Sequence, residues 1–171
     1  MSAAIRLFID ICLLRKGPED VPHSGFLLGL VLLLSVIVSV WVGAMINSMQ
    51  IAVFSTIAEL FFTYVFVKLL LLNKAERFLQ TFIALLGTLT LINISYVPAV
   101  YIYLLEGTNE NIQAIIGMLA VVLLIWKIAV CGHIFSKALP SPMVYGVAIS
   151  IAYALMNYIL VGFSSVGTVA T

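Results

Sequence analysis

Residues 25–45 read GFLLGLVLLLSVIVSVWVGAM, without one charged side chain. At ~1.5 Å per residue, a helix of this length crosses a hydrocarbon core ~30 Å thick. Four more runs of this kind follow, at about 51–72, 78–104 (with Pro98 inside it), 112–133 and 142–163. The chain is 64% hydrophobic and 9% charged. A water-soluble domain of 171 residues could not bury that much apolar surface. The sequence therefore predicts an all-α polytopic membrane protein with five transmembrane helices and the bilayer as its solvent.

The loops orient these spans. The eight Lys and Arg residues are Arg6, Arg15, Lys16, Lys68, Lys74, Arg77, Lys127 and Lys137, and all fall on one side. The turn at Asn47–Gln50 carries no charge, and the loop from Glu106 to Asn111 carries only acids. Basic loops stay in the cytoplasm, so the N-terminus is expected inside and the C-terminus outside. Lys68 and Lys127, near inner span ends, read as snorkelling anchors. Cys12 and Cys131 map to the reducing side, so no structural disulfide is expected. Asp10 interrupts the first short apolar run and no small-residue cleavage site follows, which argues against a signal peptide.

Two regions result: a cytoplasmic segment, 1–24, and the five-span domain, 25–171. Within the first, Ser2 to Leu14 is too short to cross a bilayer. Ile5, Phe8, Ile9 and Cys12 share one helical face, and Arg6 and Asp10 sit at i,i+4 on another. This reads as a short N-terminal interfacial helix, or equally as one packed under the bundle. Gly17-Pro18 is expected to end it. Ser24 suits the N-cap of the first span, Asn73-x-x-Glu76 a capping box, and Pro142 the first position of the fifth span.

Small residues mark where helices could approach closely. Gly25 and Gly29, then Ser35, Ser39 and Gly43, lie on the first span; Gly146, Ser150 and Ala154 recur every four residues on the fifth. Packing within the chain is favoured over a dimer contact. Residues 112–126 have no polar stripe, so much of the fourth span is expected to face lipid.

One carboxylate needs an explanation. Glu59 lies about eight residues, ~12 Å, inside the second span, with Ser55 and Thr63 at i−4 and i+4. A lone charge there costs a few kcal/mol on insertion scales. Asn93 on the third span and Asn157 or Tyr158 on the fifth are the candidate partners. Glu59 is then either a proton or cation site, or a neutral acid that hydrogen-bonds neighbouring helices; the structural role is favoured. Pro98 frees a backbone carbonyl beside Asn93.

Enzyme signatures are missing. There is no His-Glu-x-x-His, Cys-x-x-Cys, phosphate-binding loop or dinucleotide fingerprint. Residues 162–167, GFSSVG, imitate a nucleophile elbow but are one residue too long. His23 and His133 are isolated, so no metal is expected, and no cofactor is. Asn93-Ile94-Ser95 is a glycosylation sequon inside a span and should be silent. The basic residues form no patch for nucleic acid.

Five spans, a cytoplasmic N-terminus and the stretch Leu13-Leu14-Arg15-Lys16-Gly17-Pro18-Glu19-Asp20-Val21-Pro22 before the first span resemble the Yip (Rab-interacting protein) domain family, in its small bacterial form. The resemblance covers the whole topology, but only about ten residues carry a motif. It implies no established catalysis and no catalytic residues. Eukaryotic members have a long cytoplasmic N-terminal region and act with small GTPases, whereas this chain has about 24 residues there, which argues against a GTPase partner and for a bacterial inner-membrane protein with its C-terminus in the periplasm. The expected function is that of a non-enzymatic membrane protein that binds partners or organises lipid, with the bilayer, a membrane-protein partner or a second copy as contacts. The alternative is a small transporter or channel subunit using Glu59.

Overall fold

The computed structural model describes residues 2–106 and 109–166. Six α-helices make up the fold: α1 (Ser2–Cys12), α2 (Gly25–Ile46), α3 (Met49–Leu70), α4 (Phe78–Glu106), α5 (Glu110–Ala138) and α6 (Met143–Val166). Single 3-10 turns at Pro18–Asp20 and Ala75–Arg77 precede α2 and α4. Helices α2 to α6 are each long and apolar enough to cross a membrane, so the chain is an all-α integral membrane protein.

The helices start as their local sequences direct. Ser24 Oγ accepts the Leu27 N–H at 3.3 Å, capping α2. Ser48 does the same for α3 through the Ile51 N–H at 3.4 Å. The expected box at Asn73 and Glu76 does not form, because Ala75–Arg77 tightens into the 3-10 turn and α4 begins only at Phe78. Pro142 sits one residue outside α6, where its carbonyl accepts the Tyr145 N–H at 3.0 Å. Helix α5 continues past His133 to Ala138. That extension puts Lys127 about 16 Å from the basic end of α5, deeper than the sequence suggested.

Helix α4 is the hub. Of its apolar stretch 56% is buried inside the protein, against at most 22% for any other span. Residues 81–90 are buried without a break, because α1, α2, α3 and α5 all pack on α4. Helices α5 and α6 form a close hairpin, and α6 also packs on α3. Gly132 and Gly146 make that hairpin possible. A Cβ at Gly146 would strike the Gly132 carbonyl oxygen, and one at Gly132 would lie 3.0 Å from Val147 Cα. Ser150 extends the seam by donating to the Ile128 carbonyl at 2.9 Å, and Ala154 is half-buried one turn on. Gly43 lies close against Ala52 of α3: a Cβ there would sit only 3.1 Å from Ala52 Cβ, tighter than ordinary van der Waals contact. Gly25 and Gly29 are a correction. Open space surrounds both, so they contribute nothing to packing within the chain. Residues 113–115, 117–119, 121–122 and 124–125 of α5 are exposed, leaving most of its outer half for lipid.

Helix α1 docks lengthwise on the bundle. Phe8, Ile11 and Cys12 are buried, and Trp126 Nε1 on α5 donates to the Cys12 carbonyl at 3.0 Å. The apolar face read from the sequence therefore splits. Phe8 and Cys12 turn inward with Ile11, while Ile5 and Ile9 are exposed together with Leu13. Asp10 pairs with Lys16 at 3.6 Å, which is the ion pair present among the described residues. The helix ends before Gly17: Leu14 adopts a left-handed φ of 60°, and the Arg15 N–H returns to the Asp10 carbonyl. Gln80 of α4 then anchors the linker by donating to the Val21 carbonyl at 2.7 Å.

At the basic end, Arg77 donates to the carbonyls of Lys137 (3.2 Å) and Ala138 (3.4 Å), and Lys74 to that of Leu139 (3.1 Å). These are orphan acceptors at the C-terminus of α5, and cations satisfy both their hydrogen bonding and the helix dipole.

Candidate functional site

One group of polar side chains inside the bundle gathers around α3. Thr56, Glu59 and Thr63 occupy one face of that helix at helical spacing. Ser35 and Ser39 of α2 and Asn93 of α4 face them across a narrow cleft, closed by Leu60, Leu86 and Leu89. The cleft measures about 10 Å³, room for roughly one water. Glu59 is the one ionisable side chain among the residues lining it. It is half-buried, and no hydrogen bond or ion pair among the described residues reaches its carboxylate.

Two hydrogen-bonded arms flank the cleft. In the first, Asn93 Nδ2 donates to Ser39 Oγ at 3.3 Å, joining α4 to α2. In the second, Thr63 Oγ1 lies 2.7 Å from the Glu59 carbonyl oxygen and 2.8 Å from Tyr153 Oη. A carbonyl can only accept, so the single Thr63 proton points to it, and the Tyr153 hydroxyl donates to Thr63. Tyr153 is 1% exposed and stands among Phe62, Phe66 and Phe135, with ring centroids 5.1–5.9 Å away. Asn157, one turn further along α6, is 7% exposed, and its Nδ2 has no partner.

The structure thus brings Glu59, Thr63 and Asn93 to one place and sets Asn157 beside the second arm. Ser55 is not part of the cleft; its hydroxyl donates to the Ala52 carbonyl of its own helix at 3.1 Å. Tyr158 is 81% exposed and points away, because it is five residues from Tyr153 and so on another face of α6. Thr56 and Tyr153 were not singled out in the sequence. Both could have been, at i−3 from Glu59 and i−4 from Asn157. Ser35 and Ser39, read as packing residues, line the polar cleft as well.

A second feature is apolar. A groove of about 240 Å³ runs between α1, α2 and α4, from Leu27 past Leu34 to Val38 on α2 and from Gly87 to Ile94 on α4, with Ile5 and Phe8 of α1 on its rim. Its walls are almost free of polar surface. Along α2 this is a path of ~16 Å.

Among the described residues, no three His, Cys, Asp or Glu side chains gather as a metal site would require. The elbow-like stretch 162–167 falls largely outside the described side chains, as do Gly107 and Thr108 of the acidic loop. No family model, curated protein or solved structure matches the chain.

Proposed function

We propose that the chain is a non-enzymatic integral membrane protein that binds lipid, or a membrane partner, through the flanks of its spans, with its basic end in the cytoplasm of a bacterium. The groove between α1, α2 and α4 carries this reading. Its walls are almost free of polar surface, two of its three helices, α2 and α4, are long and apolar enough to cross a bilayer, and an acyl chain is the ligand that matches it. The exposed stripe Ile5, Ile9 and Leu13 gives α1 a second apolar face for the same bilayer. The Yip-like layout is consistent with a role that needs no catalysis. A phospholipid with a photoreactive acyl chain tests the proposal. Crosslinks should concentrate on Leu34, Val38 and Leu91, and Leu34→Trp, which fills the groove, should remove them. Labelling spread evenly over the groove and residues 115–125 of α5 would overturn it.

The unpartnered Glu59 carboxylate supports a second reading, as a proton- or cation-dependent transporter. The cleft beside it holds roughly one water, which favours a local role over a solute path, although the interhelical hydrogen bond expected of the carboxylate is not formed among the described residues. Glu59→Gln keeps size and hydrogen bonding but cannot ionise. It should complement a deletion strain if the carboxylate has no proton or cation to carry. A folded Glu59→Gln protein that fails to complement would put transport first.

A further inference from the structure

At the basic end, away from both features above, an open recess of about 820 Å³ lies between the end of α5 and the start of α6. Arg77, His133 and Lys137 line it, opposed by the single carboxylate of Glu19. Arg77 is held in place by the Lys137 and Ala138 carbonyls through one nitrogen, Nη1, which leaves donors of its planar group free for an anion. His133 Nε2 donates to the Lys16 carbonyl at 3.1 Å, which leaves Nδ1 for a ligand, as an acceptor in the neutral ring and as a donor to an oxyanion only in the imidazolium. Lys137 is exposed and its ammonium has no described partner. Met143 opens α6 at the rim, bringing the positive end of a long helix to the same place. A further observation is independent of charge: the Ser141 hydroxyl, in the wall of this recess, is buried without a hydrogen-bond partner. A buried hydroxyl without an acceptor is costly, and a bound oxyanion would supply one.

The geometry points to a binding site for a phosphate group, carried either by a phospholipid of the adjoining leaflet or by a soluble phosphate. Fixed guanidinium donors, a second cation, an imidazole and a hydroxyl match the oxygens of a phosphate monoester. This inference does not depend on what fills the apolar groove.

The test uses the full-length protein in nanodiscs of neutral phosphatidylcholine. Phosphatidic acid is added to the bilayer in one arm and inorganic phosphate to the buffer in the other, at constant ionic strength. Lipid retained after extraction is read by native mass spectrometry, and thermal unfolding reports the soluble ligand. Retained phosphatidic acid without a phosphate-induced shift identifies the lipid headgroup; stabilisation by inorganic phosphate in neutral discs identifies the soluble source. In either arm Lys137→Gln should weaken binding about fivefold or more, as loss of a charge-assisted hydrogen bond would, and His133→Gln should weaken it when the ring is an imidazolium. Lys68→Gln, at the same end but outside the recess, should leave it unchanged. No binding in either arm overturns the inference, as does binding that survives both recess substitutions or falls equally with Lys68→Gln.

Discussion

The ring of Phe8 fills the space that a side chain on Gly87 would need: a Cβ built there lies 2.5 Å from Phe8 Cδ1 and 2.7 Å from Cζ. One glycine in the middle of α4 is therefore the seat of α1. Gly87→Ala should push α1 off the bundle and cost ~1–3 kcal/mol, the range for overpacking. Trp126 reports the event, since its indole N–H is bonded to the Cys12 carbonyl. Its fluorescence should shift in Gly87→Ala and recover in the double variant with Phe8→Leu. An unchanged spectrum in Gly87→Ala would show that α1 is not held by this contact.

The glycines of the other spans separate into two kinds. Gly146→Ala should destabilise the α5–α6 hairpin by ~1–3 kcal/mol, because the Gly132 backbone blocks the new methyl. Gly29→Ala, in open space, should be neutral or stabilising by up to ~1 kcal/mol, the helix-propensity difference. Unfolding in mixed micelles compares them. A destabilised Gly29→Ala would place that face in a contact between copies.

The bond between Thr63 and Tyr153 joins α3 to α6 at full burial. Tyr153→Phe and Thr63→Val should each cost ~0.6–1.7 kcal/mol, the scale of interhelical hydrogen bonds in a bilayer. The double variant should cost less than the sum of the two. Strict additivity would mean that the hydroxyls do not interact.

Leu14 ends α1 in the left-handed region, at a φ of 60°. Glycine takes that conformation without a Cβ penalty. Leu14→Gly should therefore hold the docked α1 at least as well as leucine, with a gain of up to ~1 kcal/mol. Because Leu14 is 42% exposed, the burial lost is partial and smaller than for a core leucine. Weaker docking, read by Trp126 fluorescence, would show that the leucine side chain matters more than its backbone.

Orientation can be read with thiol reagents against a quiet background. Both native cysteines are buried, and desolvation pushes the Cys12 thiol up to about 11, so at pH 7.5 it stays protonated and unreactive. In intact cells an impermeant reagent should label a cysteine placed at Ser48 or Asn111 and spare one at Lys74 or Lys137. The reverse pattern would invert the proposed topology.

The number of spans, the cap at Ser24 and the close approach at Gly146 are legible in the chain itself. Hydropathy over a window, a serine before an apolar run and small residues every fourth position are local properties, and local physics decides them. Glu59, Thr63 and Asn93 could also be singled out, because a polar group in a span stands out from its neighbours. What they face could not. In a soluble helix the apolar stripe marks the buried side, but in a span both the lipid face and the protein face are apolar, so periodicity does not say which residues meet. Only the tertiary structure decided that α4 is the hub, that Glu59 looks toward Ser39 and Asn93 while Tyr158 looks outward, that Gly25 and Gly29 pack on nothing within the chain, and that Phe8 seats α1 on Gly87. Each depends on helices far apart in sequence coming within van der Waals reach, where side-chain shape selects the partner because hydrophobicity, equal on every side, cannot.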